Sequence, residues 1–278
     1  MPHCIVPAAE ELLDKEIPVL DKGFVRLVDY LGGDERIVQA ARVSYGAGTR
    51  TVREDSALID YLLRNDHTSP FEQVVLTFHV KLPIFVARQW IRHRTARLNE
   101  ISGRYSVMKD EFYLPGEGDL ALQSRDNKQG RSEETLPPGQ AAAVRAEMER
   151  DQKAVYASYR GLVDRGLARE IARVNLPLSL YTEWYWQIDL HNLFRFLSLR
   201  LDPHAQKEIR DYAAVLLDAA RAVAPAATES FERNVLAGTR FSGPEMEALR
   251  RLARGEPSGL AGREAERFEE KLRTGKQT

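Results

Sequence analysis

Between Arg88 and Tyr105 the chain reads RQWIRHRTARLNEISGRY, with Arg88, Arg92, Arg94, Arg97 and Arg104 set against a single carboxylate, Glu100. The formal net charge of the whole protein is -1, so this is a local concentration of cations and not a basic protein. A guanidinium is a flat fork of donors matched to phosphate or carboxylate oxygens, and the ligand class that such a cluster serves is a phosphorylated small molecule. Gln89, Asn99, Ser102 and Gly103 lie among the arginines. They supply amide and hydroxyl hydrogen bonds and a close backbone approach, which a flat polar ring would need. The competing reading is a solvated surface whose arginines pair with the protein's own carboxylates.

Other chemistry-bearing residues are fewer. Arg200 sits at the edge of an apolar stripe formed by Leu190, Leu193, Phe194, Leu197 and Leu201. A guanidinium that close to a core needs an anion or dense hydrogen bonding, so it is either a buried ion-pair member or a ligand contact. Ser102 has no evident base beside it and reads as a hydrogen-bond donor to a ligand rather than a nucleophile. Cys4 is the only cysteine, which excludes an internal disulfide, and its terminal position argues against a catalytic thiol. The six histidines show no close pair at metal-ligand spacing, so no zinc site is expected.

These residues need a frame. Gly23 to Tyr30 alternates as a strand and ends at Gly32-Gly33-Asp34, where Asp34 is placed to cap a helix over about Glu35 to Val43. Ser44, Tyr45 and Gly46 read as a turn before a second helix from Arg53 to Leu63, and the polar loop Asn65 to Glu72 follows. Val74 to Leu82 alternates most clearly as a strand. A helix then starts near Pro83, and its spacing puts Arg88, Gln89 and Arg92 on one face. Glu100 to Val107 reads as extended, with Ser102 and Arg104 on one side.

From Pro115 to Pro138 the composition is that of a long loop, and a helix follows from about Gly139 to Arg165. Trp184 and Trp186 read as core or subunit contact. Helices are expected over Asp189 to Leu201 and His204 to Val223, and two short charged ones lie between Gly243 and Thr278, split by Gly255-Glu256-Pro257. The domain reading is one body over 1–242 and a charged helical C-terminal extension over 243–278.

At 278 residues, 43% hydrophobic and 29% charged, the chain is an ordinary globular protein with room for a large core. It has no apolar run near the ~20 residues of a membrane span and no signal-peptide pattern, so a cytoplasmic protein with no membrane partner is expected. The near-neutral charge argues against nucleic acid as the main partner.

The string Arg92-His93-Arg94, followed after seven residues by Ser102 within RHRTARLNEISGRY, resembles the signature of the flavin-dependent thymidylate synthases. The resemblance extends to Ser69-Pro70-Phe71-Glu72, to PIFVARQW, to Gln123-Ser124 with Asn127-Lys128-Gln129-Gly130, and to LRLDPHAQKEIR from Leu199. It covers about residues 20 to 235 and leaves the tail beyond uncovered. It implies an α/β (α+β) fold with a mixed β-sheet flanked by helices, and a homotetramer with active sites shared between subunits. It also implies FAD as bound cofactor, with NADPH and methylenetetrahydrofolate as co-substrates in methylating carbon 5 of dUMP. No cysteine nucleophile is called for.

Carried over by position, the resemblance sets Gln89, Arg92, Glu100, Ser102, Gly103, Arg104 and Arg173 around dUMP, with Arg200 beside the pyrimidine as the catalytic residue. His67, Ser69, Glu72, Arg92, His93, Arg94, Glu100, Asp189, His191, Arg195 and His204 fall to FAD. Three positions depart from the family pattern: Arg97 stands where serine is common, and Asp189 and His191 where asparagine and arginine are common. A nucleotide hydrolase and a nucleic-acid-binding module are the competing function classes.

Overall fold

The computed structural model describes residues 4–43, 52–125 and 130–275, the first three of the middle stretch by backbone alone. The expected turn at Ser44, Tyr45 and Gly46 and the segment 127–129 lie outside the described residues. In chain order the elements are α1 (Pro7–Glu10), β1 (Glu16–Val19), β2 (Gly23–Leu31), α2 (Asp34–Arg42), α3 (Val52–Arg64), β3 (Val75–Pro83), α4 (Ile84–Trp90) and β4 (Arg97–Glu100). There follow β5 (Ala121–Gln123), β6 (Arg131–Thr135), α5 (Pro138–Asp164), α6 (Arg169–Ala172), β7 (Tyr181–Asp189), α7 (Leu190–Arg200), α8 (Lys207–Val223), α9 (Pro225–Phe231), α10 (Gly243–Ala253) and α11 (Gly262–Thr274). No helix among the described residues is long and apolar enough to cross a membrane.

Five strands pair in the order β1-β2-β3-β7-β4. The expected sheet flanked by helices is present, and its strand pairing is antiparallel throughout rather than mixed. A parallel contact occurs only as an isolated bridge, Leu13 to Leu27, among the described residues. The period-two pattern of β3 does what it predicts: Leu76, Phe78, Val80 and Leu82 are fully buried. On the other face His79 stacks on Tyr185 of β7 at 4.9 Å, and Gln187 donates to Thr77 at 3.1 Å.

The apolar face is covered by α4, α7 and α8, and its centre is Trp90. That ring meets Trp184 at 5.6 Å, Trp186 at 5.1 Å, Phe196 at 4.8 Å and Tyr212 at 6.0 Å. Both β7 tryptophans are therefore core. One ring contacts β7, α7 and α8 together, so it fixes the positions of Gln89 and His93 on either side of it.

Four local readings are corrected. Asp34 does not cap its own helix; its carboxylate accepts the N–H groups of Ala226 and Ala227 at 2.7 and 3.0 Å and so caps α9 instead. Pro225 at the first turn of α9 leaves those two donors as the ones needing an acceptor. The helix starting after Pro83 stops at Trp90, with His93 N–H closing onto the Trp90 carbonyl at 3.0 Å, so Arg92 lies past its end and shares no helical face with Arg88 and Gln89. The extended segment sits three residues early, as β4, and Ser102 to Ser106 forms a turn in which the Ser102 carbonyl accepts from Tyr105 and Ser106. The loop from Pro115 to Pro138 contains the β5–β6 hairpin, tied down where Arg131 donates to both oxygens of buried Glu208 at 2.7 Å.

Candidate active site

Arg200 ends α7, where the apolar stripe of that helix turns it toward α4. Its Nε donates to His93 Nε2 at 3.1 Å and its Nη2 to the Gln89 carbonyl at 3.0 Å. No carboxylate pairs with it among the described residues, so of the two readings left open the ion-pair one is removed. Burial alone lowers its pKa from the ordinary arginine value. The neighbouring imidazole responds in kind. Burial, then the charges of Arg200 and Arg195, hold His93 down at about 4, so it is neutral and its Nε2 is free to accept. His93 is further held edge-on to Phe196 at 4.7 Å. Gln89 Nε2 donates to Gln206 Oε1 at 2.5 Å, which ties this joint to the start of α8.

The second group is the turn after β4. Gly103 is buried because Arg173 lies across it: a Cβ at residue 103 would come within 3.1 Å of Arg173 Cδ and of Met108 Sδ. Ser102 Oγ accepts from Arg104 N–H at 3.3 Å, and Arg104 Nε donates to Glu170 at 3.1 Å. Glu100 is exposed and accepts from Thr182 Oγ1 at 2.6 Å, which aims one of its oxygens and leaves the other available. Arg88, Arg92, Arg94 and Arg97 are exposed, and their guanidinium groups make no hydrogen bond or ion pair among the described residues. The surface-ion-pair reading of the arginine cluster thus holds only for Arg104.

A third group surrounds a cavity of about 470 Å³ between α3, α7 and α9, lined among others by His67, His191, Arg195 and Arg240. His67 lies edge-on to Tyr61 at 5.9 Å. Ser69 is exposed in the same loop, and Glu72 accepts from Thr68 Oγ1 at 2.9 Å. A larger adjoining cavity of about 700 Å³ is lined by His204, whose ring meets Asp202 Oδ1 at 2.9 Å. Asp189 caps α7: its oxygens take Asn192 N–H at 2.9 Å and the Asn192 amide at 2.8 and 3.0 Å. An aspartate here is therefore explained by the helix it starts.

The fold thus brings Gln89, His93 and Arg200 into contact, sets Gly103 against Arg173, and gathers His67, His191 and Arg195 at one cavity. It leaves Arg92 and Arg94 on open surface. Sequence reasoning passed over Gln206, Thr182, Glu170 and Arg240. The first three are long-range partners of candidate residues, 117, 82 and 66 positions away from them, and no local spacing encodes such pairs.

Residues 26–226 match the family model described as thymidylate synthase complementing protein, and residues 239–278 match that of the thymidylate synthase ThyX C-terminal domain. The tail, outside the resemblance read from the sequence, is thus covered by a model of its own. A flavin-dependent thymidylate synthase of Treponema denticola is 66% identical over 95% of this chain and 100% of its own length. That of Treponema pallidum is 64% identical over 99% of this chain and 90% of its own. Among solved structures, a UMP/dUMP methylase, PolB, from Streptomyces cacaoi bound with 5-Br dUMP superposes with a TM-score of 0.72. It is 33% identical, over 79% of this chain and 98% of that one.

Proposed function

This chain belongs to the flavin-dependent thymidylate synthase family, and on that premise we propose that it is a methyltransferase converting dUMP to dTMP with methylenetetrahydrofolate as carbon donor and NADPH as reductant. The observation that carries the reading is Arg200, a half-buried cation whose described partners are both neutral acceptors. A desolvated guanidinium without a counter-charge is unfavourable in the free protein and becomes favourable when an anion is placed against it. A pyrimidine ring carrying negative charge is such an anion, and the same charge enriches carbon 5 for attack on an electrophilic methylene. No thiol is needed. Cys4 is kept protonated, its pKa raised by burial and then by Glu35.

Around that ring, Gln89, Glu100, Ser102 and the Gly103 backbone are the hydrogen-bonding set, and Arg92, Arg104 and Arg173 the phosphate-binding set. Neutral His93 orients Arg200 through Nε2 and does not compete with it for charge. The third group fits a flavin dinucleotide by the chemistry of its donors, since Arg195 is unpaired among the described residues and two imidazoles line the same cavity. His67, His191 and Arg195 would hold FAD at that cavity, with His204 at the adjoining one, Ser69 and Glu72 from the loop that carries His67, and Arg94 from the open surface, and Asp189 would act through α7. When bound, FAD supplies the hydride that reduces the transferred methylene. A homotetramer accounts for what one chain leaves open: Ile101, Tyr105, Ile171, Val174 and Leu178 are exposed around the Gly103–Arg173 contact, and Tyr105 and Val174 are 76% and 70% exposed.

The test is the absorption spectrum of the purified protein before and after anaerobic NADPH, paired with release of the label from dUMP tritiated at carbon 5. Bleaching of a bound flavin and folate-dependent release are expected. A colourless protein that takes up no FAD and releases no label overturns the reading.

A further inference from the structure

Arg240 belongs to the segment after α9, yet it lines the cavity that His67, His191 and Arg195 share. Its guanidinium makes no hydrogen bond or ion pair among the described residues. Its backbone is held firmly. Lys271 Nζ donates to the Arg240 carbonyl at 3.1 Å and to Glu245 Oε1 at 2.6 Å, and the Lys271 and Glu245 side chains are each 10% exposed. On either side, Thr239 Oγ1 donates to the Gly275 carbonyl at 2.7 Å, and Phe241 packs edge-on against Phe268. Ser242 and Glu245 then form a reciprocal cap at the start of α10. The last two helices therefore clamp one short stretch of chain while the side chain between the clamps stays free.

Arg195 lines the same cavity and is also unpaired among the described residues, so two guanidinium-bearing side chains share one space with Asp66 as the carboxylate in its lining. Like charges gathered this way are unfavourable until an anion enters between them. Phe71 and Phe194 supply an apolar wall to the same cavity. Cations and aromatic rings lining one cavity of about 470 Å³ suit a ring joined to a diphosphate and are oversupplied for a single carboxylate.

The geometry points to a diphosphate site shared between the body and the C-terminal segment, in which Arg240 and Arg195 grip the diphosphate of an adenine dinucleotide. FAD and NADPH both carry that group. The inference rests on the proposed function and adds to it a residue from the tail.

The experiment titrates the full-length, flavin-stripped chain with FAD, FMN, NADP⁺ and inorganic pyrophosphate, following flavin fluorescence and calorimetric heat, in the parent and in Arg240→Gln and Arg240→Lys. Arg240→Gln is expected to weaken one dinucleotide by about 10- to 100-fold, the loss of a charged hydrogen bond, and to abolish competition by pyrophosphate. FMN, which has no diphosphate, should bind as before, and Arg240→Lys should recover part of the loss. Weakening of FAD identifies the flavin as the source of the diphosphate, and weakening of NADP⁺ identifies the nicotinamide dinucleotide. An Arg240→Gln protein that binds both dinucleotides as the parent does, or loses FMN equally, overturns the assignment. If that happens while the parent still binds flavin and releases label from dUMP, only this inference fails; a parent that does neither removes the proposed function itself.

Discussion

Replacing Arg200 with methionine separates a functional cation from a structural one. In the free protein the substitution removes two hydrogen bonds, to His93 Nε2 and to the Gln89 carbonyl, worth about 1 kcal/mol each. It also removes a partly desolvated charge that has no described counter-ion, a relief that works against that loss. The two effects oppose each other, and for 278 residues about 1 kcal/mol corresponds to about 2 °C, so the loss of both hydrogen bonds sets the limit and the melting temperature should stay within about 4 °C of the parent. Turnover should respond very differently. A unit charge ~4 Å from an anionic ring at an effective dielectric of ~20 contributes about 4 kcal/mol, which is roughly a thousandfold in rate if it is felt in the transition state. The assay is label release from tritiated dUMP under saturating substrates, alongside calorimetric unfolding and a flavin titration. A melting temperature lowered by more than about 6 °C, or turnover within tenfold of the parent, would refute the reasoning, because Arg200 would then be a packing residue.

Arg131→Met should cost about 3 kcal/mol, or roughly 6 °C, because it strands the buried Glu208 carboxylate. Burial acts to raise that carboxyl and the Arg131 hydrogen bond and charge more than overcome it, so the parent gains stability above the ordinary carboxylate range and loses it as pH falls through the lowered value. In the variant burial is opposed only by neutral donors, the Tyr113 hydroxyl, Gln206 and the backbone N–H, which are weaker than a guanidinium, so the pKa rises; the deficit should be larger at pH 8 than at pH 5, and Glu208→Gln added to it should restore most of the loss, whereas a pH-independent deficit would argue against this. Gly103→Ala places a Cβ 3.1 Å from Arg173 Cδ and 3.2 Å from Arg173 Nη1, and the flexible side chain gives way. Steady-state kinetics should show KM for dUMP raised about 3- to 10-fold with kcat unchanged, and a loss of kcat alone would be inconsistent. Asp189→Ala removes the α7 cap and should lower the melting temperature by about 1–4 °C. Flavin affinity should be unchanged, and a tenfold loss of it without a change in melting temperature would make Asp189 a cofactor contact.

What was legible in the sequence is what short-range periodicity and residue chemistry encode. The strand over Val75–Pro83, the helices over Asp34–Arg42, Leu190–Arg200 and Lys207–Val223, and the paired terminal helices follow from apolar spacing, since burying one face is what selects each element. The arginine cluster was equally plain, because guanidinium chemistry does not depend on the fold. The limits came where a residue's partner is remote in sequence. Asp34 looked like the cap of the helix it precedes and instead caps one that begins nearly two hundred residues later. The stretch from Pro115 to Pro138 looked like a loop because its hairpin is stabilised by Glu208 on α8 and not by local pattern. Whether Arg200 finds a carboxylate, and whether Arg240 reaches the cavity beside α7, depend on side chains that meet only after the chain has folded. Composition determines which groups exist and local spacing which elements they ride on; only close packing decides which charges are left without a partner, and those are the ones free to hold a ligand.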